Sequence, residues 1–178
     1  MAQTKPTLPY LLSRLVIRQV TQEDLPALEW EGEYTHFRRL YAEAFRRAEM
    51  GDALLWVAEL PRESLIGQVF IHLKSERLEQ TNGQKRAYLY GFRVRPAYRN
   101  LGIGTLLLQT VEEDLVRRGY RYVNLNVGRD NPDARRLYER HGYTITGMDA
   151  GRWSYIDDQG RRREVHEPAW RMEKELRL

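Results

Sequence analysis

At 178 residues the chain has the length of one domain and room for a substantial apolar core. It has no cysteine, which excludes a disulfide framework, a zinc ribbon and a cysteine nucleophile. No apolar run approaches the ~20 residues that span a bilayer, and a net charge of +4 with a pI near 9.4 admits acidic partners of any size.

In chain order, residues 1–14 read as an extension, and 15–178 as a single domain. Pro6 and Pro9 interrupt the short apolar stretch at the start, unlike a secretory signal. Residues 15–20 predict a strand, after which Thr21 caps a helix containing Glu23, Asp24, Leu25 and Pro26. A loop with Trp30, Glu31, Gly32, Glu33 and Tyr34 leads to a second helix over 35–50. There Phe37, Leu40, Tyr41, Ala44, Phe45 and Ala48 recur at helical spacing. Strands at 54–60 and 65–74 flank a turn at Pro61-Arg62-Glu63. A polar connection over 75–86, with Asn82-Gly83, precedes a strand at 87–94. The next helix, 105–118, continues a stripe of Ile103, Leu107, Val111 and Leu115 and stops at Arg117-Arg118-Gly119. A strand at 122–127 and a helix opened by Asn131-Pro132 and closed at Gly142 follow. Residues 144–147 and 152–156 are extended, Asp157-Asp158-Gln159-Gly160 is a hairpin turn, and a strand through Trp170 to Lys174 ends an α/β pattern without repeats.

Two segments carry the chemistry. In Arg99-Asn100-Leu101-Gly102-Ile103-Gly104-Thr105 the glycines let backbone N–H groups close on an anion. The helix beyond has no acid in its first turn to neutralise its positive end. In the second segment, Asn131 and Tyr138 lie seven residues apart and share one helix face, kept shallow by Ala134. Taken singly, these are a glycine turn before a helix and a capped helix with a packed tyrosine.

Together, in this order and separation, they resemble the GCN5-related N-acetyltransferase (GNAT) superfamily. Arg99 to Gly104 matches its Arg/Gln-x-x-Gly-x-Gly/Ala loop, and 131–143 its Asn-x-x-Ala-x-x-Leu-Tyr-x-x-x-Gly-Phe/Tyr segment. A Rossmann dinucleotide site competes poorly, since it needs Gly-x-Gly-x-x-Gly directly after a first strand and a later acid. The resemblance implies a GNAT-like mixed, mostly antiparallel sheet flanked by helices, with a splayed strand pair forming a slot for acetyl-CoA. It implies a cytoplasmic enzyme that moves an acetyl group to a primary amine of a small molecule or peptide, in a ternary complex and without a metal. The pyrophosphate is expected on Arg99, Asn100, Leu101, Gly102, Ile103, Gly104 and Thr105. The pantetheine arm is expected along Phe92, Arg93 and Val94, with Gly91 marking either a bulge or close packing under an aromatic ring. Asn131 is expected to hold that arm, and Tyr138 to protonate the leaving thiolate.

Relatives often carry a glutamate on the central strand as base, where this chain has Tyr88, Leu89, Tyr90 and Gly91. Tyr88 and Tyr90 could order a water wire, although alternating strand tyrosines usually pack. Glu31, Glu33, His36 and Tyr90 are the substrate-pocket candidates; the acids, with Asp157 and Asp158, could attract a cationic amine. His72 reads as a satisfied core residue, His141 as the complement of a helix C-terminus, and Arg161 to Arg163 as a solvated hairpin or an acidic-partner site. The missing strand glutamate supports an alternative, a catalytically silent CoA-binding module. A nucleic-acid binder is the weakest reading, because no basic–aromatic interleaving accompanies the arginines. The aromatic C-terminal strands offer an edge for a homodimer.

Overall fold

In chain order the elements are α1 (Leu8–Arg14), β1 (Val16–Gln19), a 3-10 segment (Gln22–Gly32), a 3-10 turn (Thr35–Phe37), α2 (Arg38–Glu49), β2 (Ala53–Leu60), β3 (Ser64–His72), β4 (Arg86–Val94), a 3-10 turn (Pro96–Tyr98) and α3 (Ile103–Arg117). The chain continues with β5 (Tyr122–Gly128), α4 (Pro132–Arg140), β6 (Thr144–Asp149), β7 (Arg152–Ile156), β8 (Arg162–His166) and β9 (Ala169–Glu175). The computed structural model describes residues 7–62, 64–73 and 85–177. Residues 1–6, Glu63 of the expected turn, Lys74 at the expected strand end, and the connection through Asn82-Gly83 to 84 lie outside the described residues.

Among the described residues, seven strands form one sheet in the order β1-β2-β3-β4-β5-β9-β6, and β7 and β8 form a separate hairpin. Every pair in the main sheet is antiparallel except β4 and β5. The fold is therefore the mixed, mostly antiparallel α/β arrangement expected.

Strand alternation gives the sheet two different faces. On one, Val69, Ile71, Ala87, Leu89, Val123, Leu125 and Met172 meet the apolar stripe of α3 and Tyr138 of α4. On the other, Leu55, Val57 and Phe70 meet Tyr41 and Ala44 of α2 and Leu28 of the 3-10 segment. Each fully buried Leu or Ile contributes about 1.5–3 kcal/mol, so the α3 face holds most of the apolar stabilisation.

Several details depart from the sequence reading. Residues 8–14 of the extension form α1, whose Leu11 is buried in the same cluster as Ile103 and Leu107. The first expected helix is a 3-10 run. Thr21 and Asp24 form a reciprocal capping box, and positive φ at Trp30 (45°) and Glu31 (55°) kinks the run. Arg18 joins Asp24 (2.6 Å) and Glu59 (2.8 Å), tying this segment to β1 and β2. The second helix is 3-10 before Arg38. α3 starts two residues early because Gly102 supplies its N-cap. The expected hairpin gains a partner strand, β8.

Candidate active site

β4 and β5 pair only from Arg86↔Tyr122 to Leu89↔Leu125. β4 then bulges. Gly91 takes φ +60°, and Gln68 Nε2 donates to its carbonyl at 3.1 Å. A Cβ at Gly91 would stand 3.1 Å from the Phe70 ring, so both readings of this glycine hold. The extra residue reverses the alternation. Tyr88 and Tyr90 face α2, whereas beyond the bulge Phe92 and Val94 turn to the α3 core. From Tyr90 onward β4 has no strand beside it on the β5 side among the described residues. That open edge can accept an extended chain of amides.

The edge runs into the glycine loop. Asn100 has φ +62° and Gly102 φ +86°, and α3 begins at Ile103. The first N–H to find an acceptor there is that of Leu106, on Gly102 O at 3.1 Å. Those of Asn100 to Thr105 have none among the described residues. With no acid in the first turn, this helix start is suited to an anion. Arg99 is exposed and turns its Nε onto Val94 O at 2.9 Å, leaving the rest of the guanidinium available. Thr105 Oγ1 lies 3.2 Å from His141 Nε2, so the His141 ring bridges to α3 rather than to the α4 carbonyls.

Tyr138 stands behind the open edge, 6 % exposed, with its ring 6.1 Å from Phe92 and 5.6 Å from Tyr143. Burial, and then the nearby Tyr88, push its phenol well above the ordinary tyrosine range. The hydroxyl stays protonated and makes no hydrogen bond among the described residues. Asn131 Oδ1 accepts from Ala134 N at 3.2 Å and caps α4, which leaves the side-chain amide N–H groups free to meet a ligand.

The expected pocket residues each have their own neighbours. Glu31 is held bidentate by Arg95 (2.7 and 3.0 Å), which lowers its pKa. Glu33 is exposed; its N–H caps the 3-10 segment on Trp30 O at 3.3 Å, and its side chain makes no hydrogen bond or ion pair among the described residues. His36 lies 4.2 Å from Phe37 and 6.1 Å from Tyr155 of β7. Tyr90 is packed between Phe70 and His72, and burial raises its phenol pKa. Arg93 lies across Tyr34 (3.9 Å) and donates to Tyr41 Oη at 2.7 Å.

Asp157 builds its own turn. It accepts from the N–H groups of Gln159 (3.0 Å) and Arg161 (2.8 Å) and from Arg163 Nε (2.9 Å). Arg161 and Arg163 are thus engaged, and Arg162 pairs with Glu164. Sequence reasoning missed the hairpin's placement: Trp153 and Tyr155 pack on Phe37 at 6.3 and 5.0 Å. Their alternation before a turn was the available signal.

The sequence profile of the Acetyltransferase (GNAT) family matches residues 17–143, and the chain belongs to that family. It is 29% identical over 94 residues to the uncharacterized N-acetyltransferase YycN of Bacillus subtilis (strain 168), covering 53% of this chain and 57% of that protein. The fold is shared with the ribosomal-protein-S18-alanine N-acetyltransferase of Escherichia coli. The TM-score is 0.68 at 19% identity, over 92% of this chain and 95% of that one. It is also shared with Arabidopsis thaliana NAA60, solved in complex with acetyl-CoA. Here the TM-score is 0.67 at 23% identity, over 91% and 98% of the two chains.

Proposed function

We propose that the chain transfers the acetyl group of acetyl-CoA to a primary amine of a small molecule or peptide, by direct attack in a ternary complex in the cytoplasm. The observation that carries this reading is the continuity of an unpaired N–H run at 100–105 with the open edge of β4. A pyrophosphate fits the first, and the two amides of a pantetheine arm fit the second. Arg99 adds charge at the phosphates. Phe92, Arg93 and Val94 present backbone to the arm. Tyr138, kept neutral by burial, gives its proton to the departing sulfur. Family membership and the neighbour bound to acetyl-CoA support the co-substrate. The names of relatives and neighbours support an amine acceptor.

The test has two parts. Calorimetry should show acetyl-CoA binding to the wild type. Release of CoA thiol, measured over a panel of amines, polyamines, aminoglycosides, amino acids and N-terminal peptides, should then identify an acceptor. Absence of acetyl-CoA binding overturns the reading. Binding without turnover of any amine leaves the silent CoA-binding module.

A further inference from the structure

His72 is a half-buried titratable group beside the site to which the proposed function gives no task. It closes β3, opposite Tyr88 of β4, and Tyr88 lies opposite Asn124 of β5, so the three form one rung across the sheet. Their side chains share the face that carries α2, the face opposite Tyr138. The imidazole stacks on Tyr90 at 4.2 Å and 11° and lies nearly parallel to Tyr88 at 6.3 Å. The tyrosines therefore fix its plane. Its Nδ1 is buried without a hydrogen-bond partner, and so is Asn124 Oδ1 at the far end of the same rung.

A buried polar atom left without a partner is destabilising. Two of them flanking one tyrosine beside a candidate catalytic centre suggest a group that is met only during turnover. Among the described residues, the titratable and charged groups facing the ring are Tyr88 and Tyr90 on β4 and Arg47 on α2. On the other edge of β3, Ala53 stands opposite it, next to Asp52, whose carbonyl accepts from Leu73 N. None of them hydrogen-bonds the ring. Burial and then Arg47 hold its pKa below the ordinary histidine value, so the imidazole is neutral at physiological pH.

We propose that His72 accepts the proton of the attacking amine, with Tyr88 between it and Tyr138. The inference rests on the acetyltransferase reading. An alkylammonium with a pKa near ~10.4 must first lose a proton, and that proton goes to His72. The nitrogen lone pair forms the N–C bond to the thioester carbonyl. The C–S bond breaks with its electron pair on sulfur, which takes the Tyr138 proton. The second nitrogen proton restores Tyr138, and His72 releases its own proton to solvent. The products are the amide, CoA thiol and one proton.

The test uses whichever panel amine the wild type acetylates fastest. In wild type, kcat/KM falls as the pH drops through the His72 pKa, below about 6.5. The His72 ring signal, followed by NMR, titrates at the same midpoint. His72→Gln lowers kcat/KM on the order of 10²-fold and abolishes that acid limb, while acetyl-CoA affinity is unchanged. His72→Phe, which keeps the stacked ring without nitrogen, does the same if the glutamine variant misfolds. Wild-type kcat/KM with an intact limb in either folded variant overturns the inference alone, as does a ring that titrates away from the limb. Failure of the wild type to acetylate any amine overturns the acetyltransferase reading, and this inference with it.

Discussion

The two faces of the sheet are built by different rules. The α3 face is largely aliphatic, and its carboxylate is paired: Tyr143 Oη donates to Glu112 at 3.0 Å and Lys174 Nζ to the same side chain at 2.9 Å, while Trp56 Nε1 and the Tyr138 hydroxyl have no hydrogen-bond partner among the described residues. The α2 face is aromatic, from Tyr34, Phe37 and Tyr41 through Phe70 and Tyr90 to His72. The unpaired atoms Gln68 Oε1 and His72 Nδ1 lie on it. A well-packed face gives a fixed wall along which a long co-substrate can bind. An aromatic face with unpaired amide and imidazole atoms offers hydrogen-bonding capacity and flat apolar surface to a second molecule. The bulge at Gly91 lets one strand serve both, because it turns Phe92 inward just after Tyr90 has turned outward.

The largest expected effect comes from closing the anion site. Gly102→Glu puts a carboxylate beside the unpaired N–H groups and a side chain at φ +86°. Acetyl-CoA affinity should fall by 10²-fold or more, on the order of 3 kcal/mol. Calorimetry on the folded variant checks this, and wild-type affinity would remove the loop from the site.

Next comes Tyr138→Phe, which keeps the buried ring and deletes only its proton. Turnover should fall on the order of 10²-fold, with little change in acetyl-CoA affinity or Tm. Because burial raises this phenol above its ordinary range, the wild-type rate should show no alkaline fall through the usual tyrosine pKa near ~10. A fall there, lost in the variant, would contradict the burial assigned to the ring.

A structural contrast follows. Leu107→Ala, in the fully buried stripe of α3, should cost about 2–5 kcal/mol in denaturant unfolding. Trp153→Ala, on the exposed hairpin, should stay within about 0.5–1 kcal/mol. Equal losses would mean that the two faces are not different in kind.

Much of this was legible in the sequence, and the reasons are local. Gly102 and the acid-free first turn mark the loop, since both are backbone requirements written in single residues. Asn131-Pro132 marks the start of α4 for the same reason. The partners of the pocket candidates were less legible. Glu31 was expected as a carboxylate that could attract a cationic amine; Arg95, 64 positions away, pairs with it, and no periodicity reports such a pairing. His72 was read as satisfied. Only the register of β3 on β4 shows that its neighbours are tyrosine rings that leave Nδ1 unpaired.

Smaller effects come from exposed charge. Arg99→Ala should weaken acetyl-CoA several-fold, the scale of one partly exposed ion contact of about 0.5–1 kcal/mol. A truncated pantetheine thioester without the pyrophosphate should be unaffected. Equal losses for both ligands would move Arg99 away from the phosphates. Asp24, held at about 2 by Arg18, contributes stability that is present above the ordinary carboxylate range and is lost as pH falls toward 2. The gap in Tm between wild type and Asp24→Asn should therefore be present at neutral pH and vanish near pH 2.

The division of the sheet into a cofactor side and an acceptor side is tested most directly by backbone amide NMR during titration with acetyl-CoA. The division predicts that the largest shifts fall on residues 92–94 and 100–105, while 152–166 of the hairpin stay unmoved. Largest shifts on the hairpin, with 100–105 silent, would contradict it.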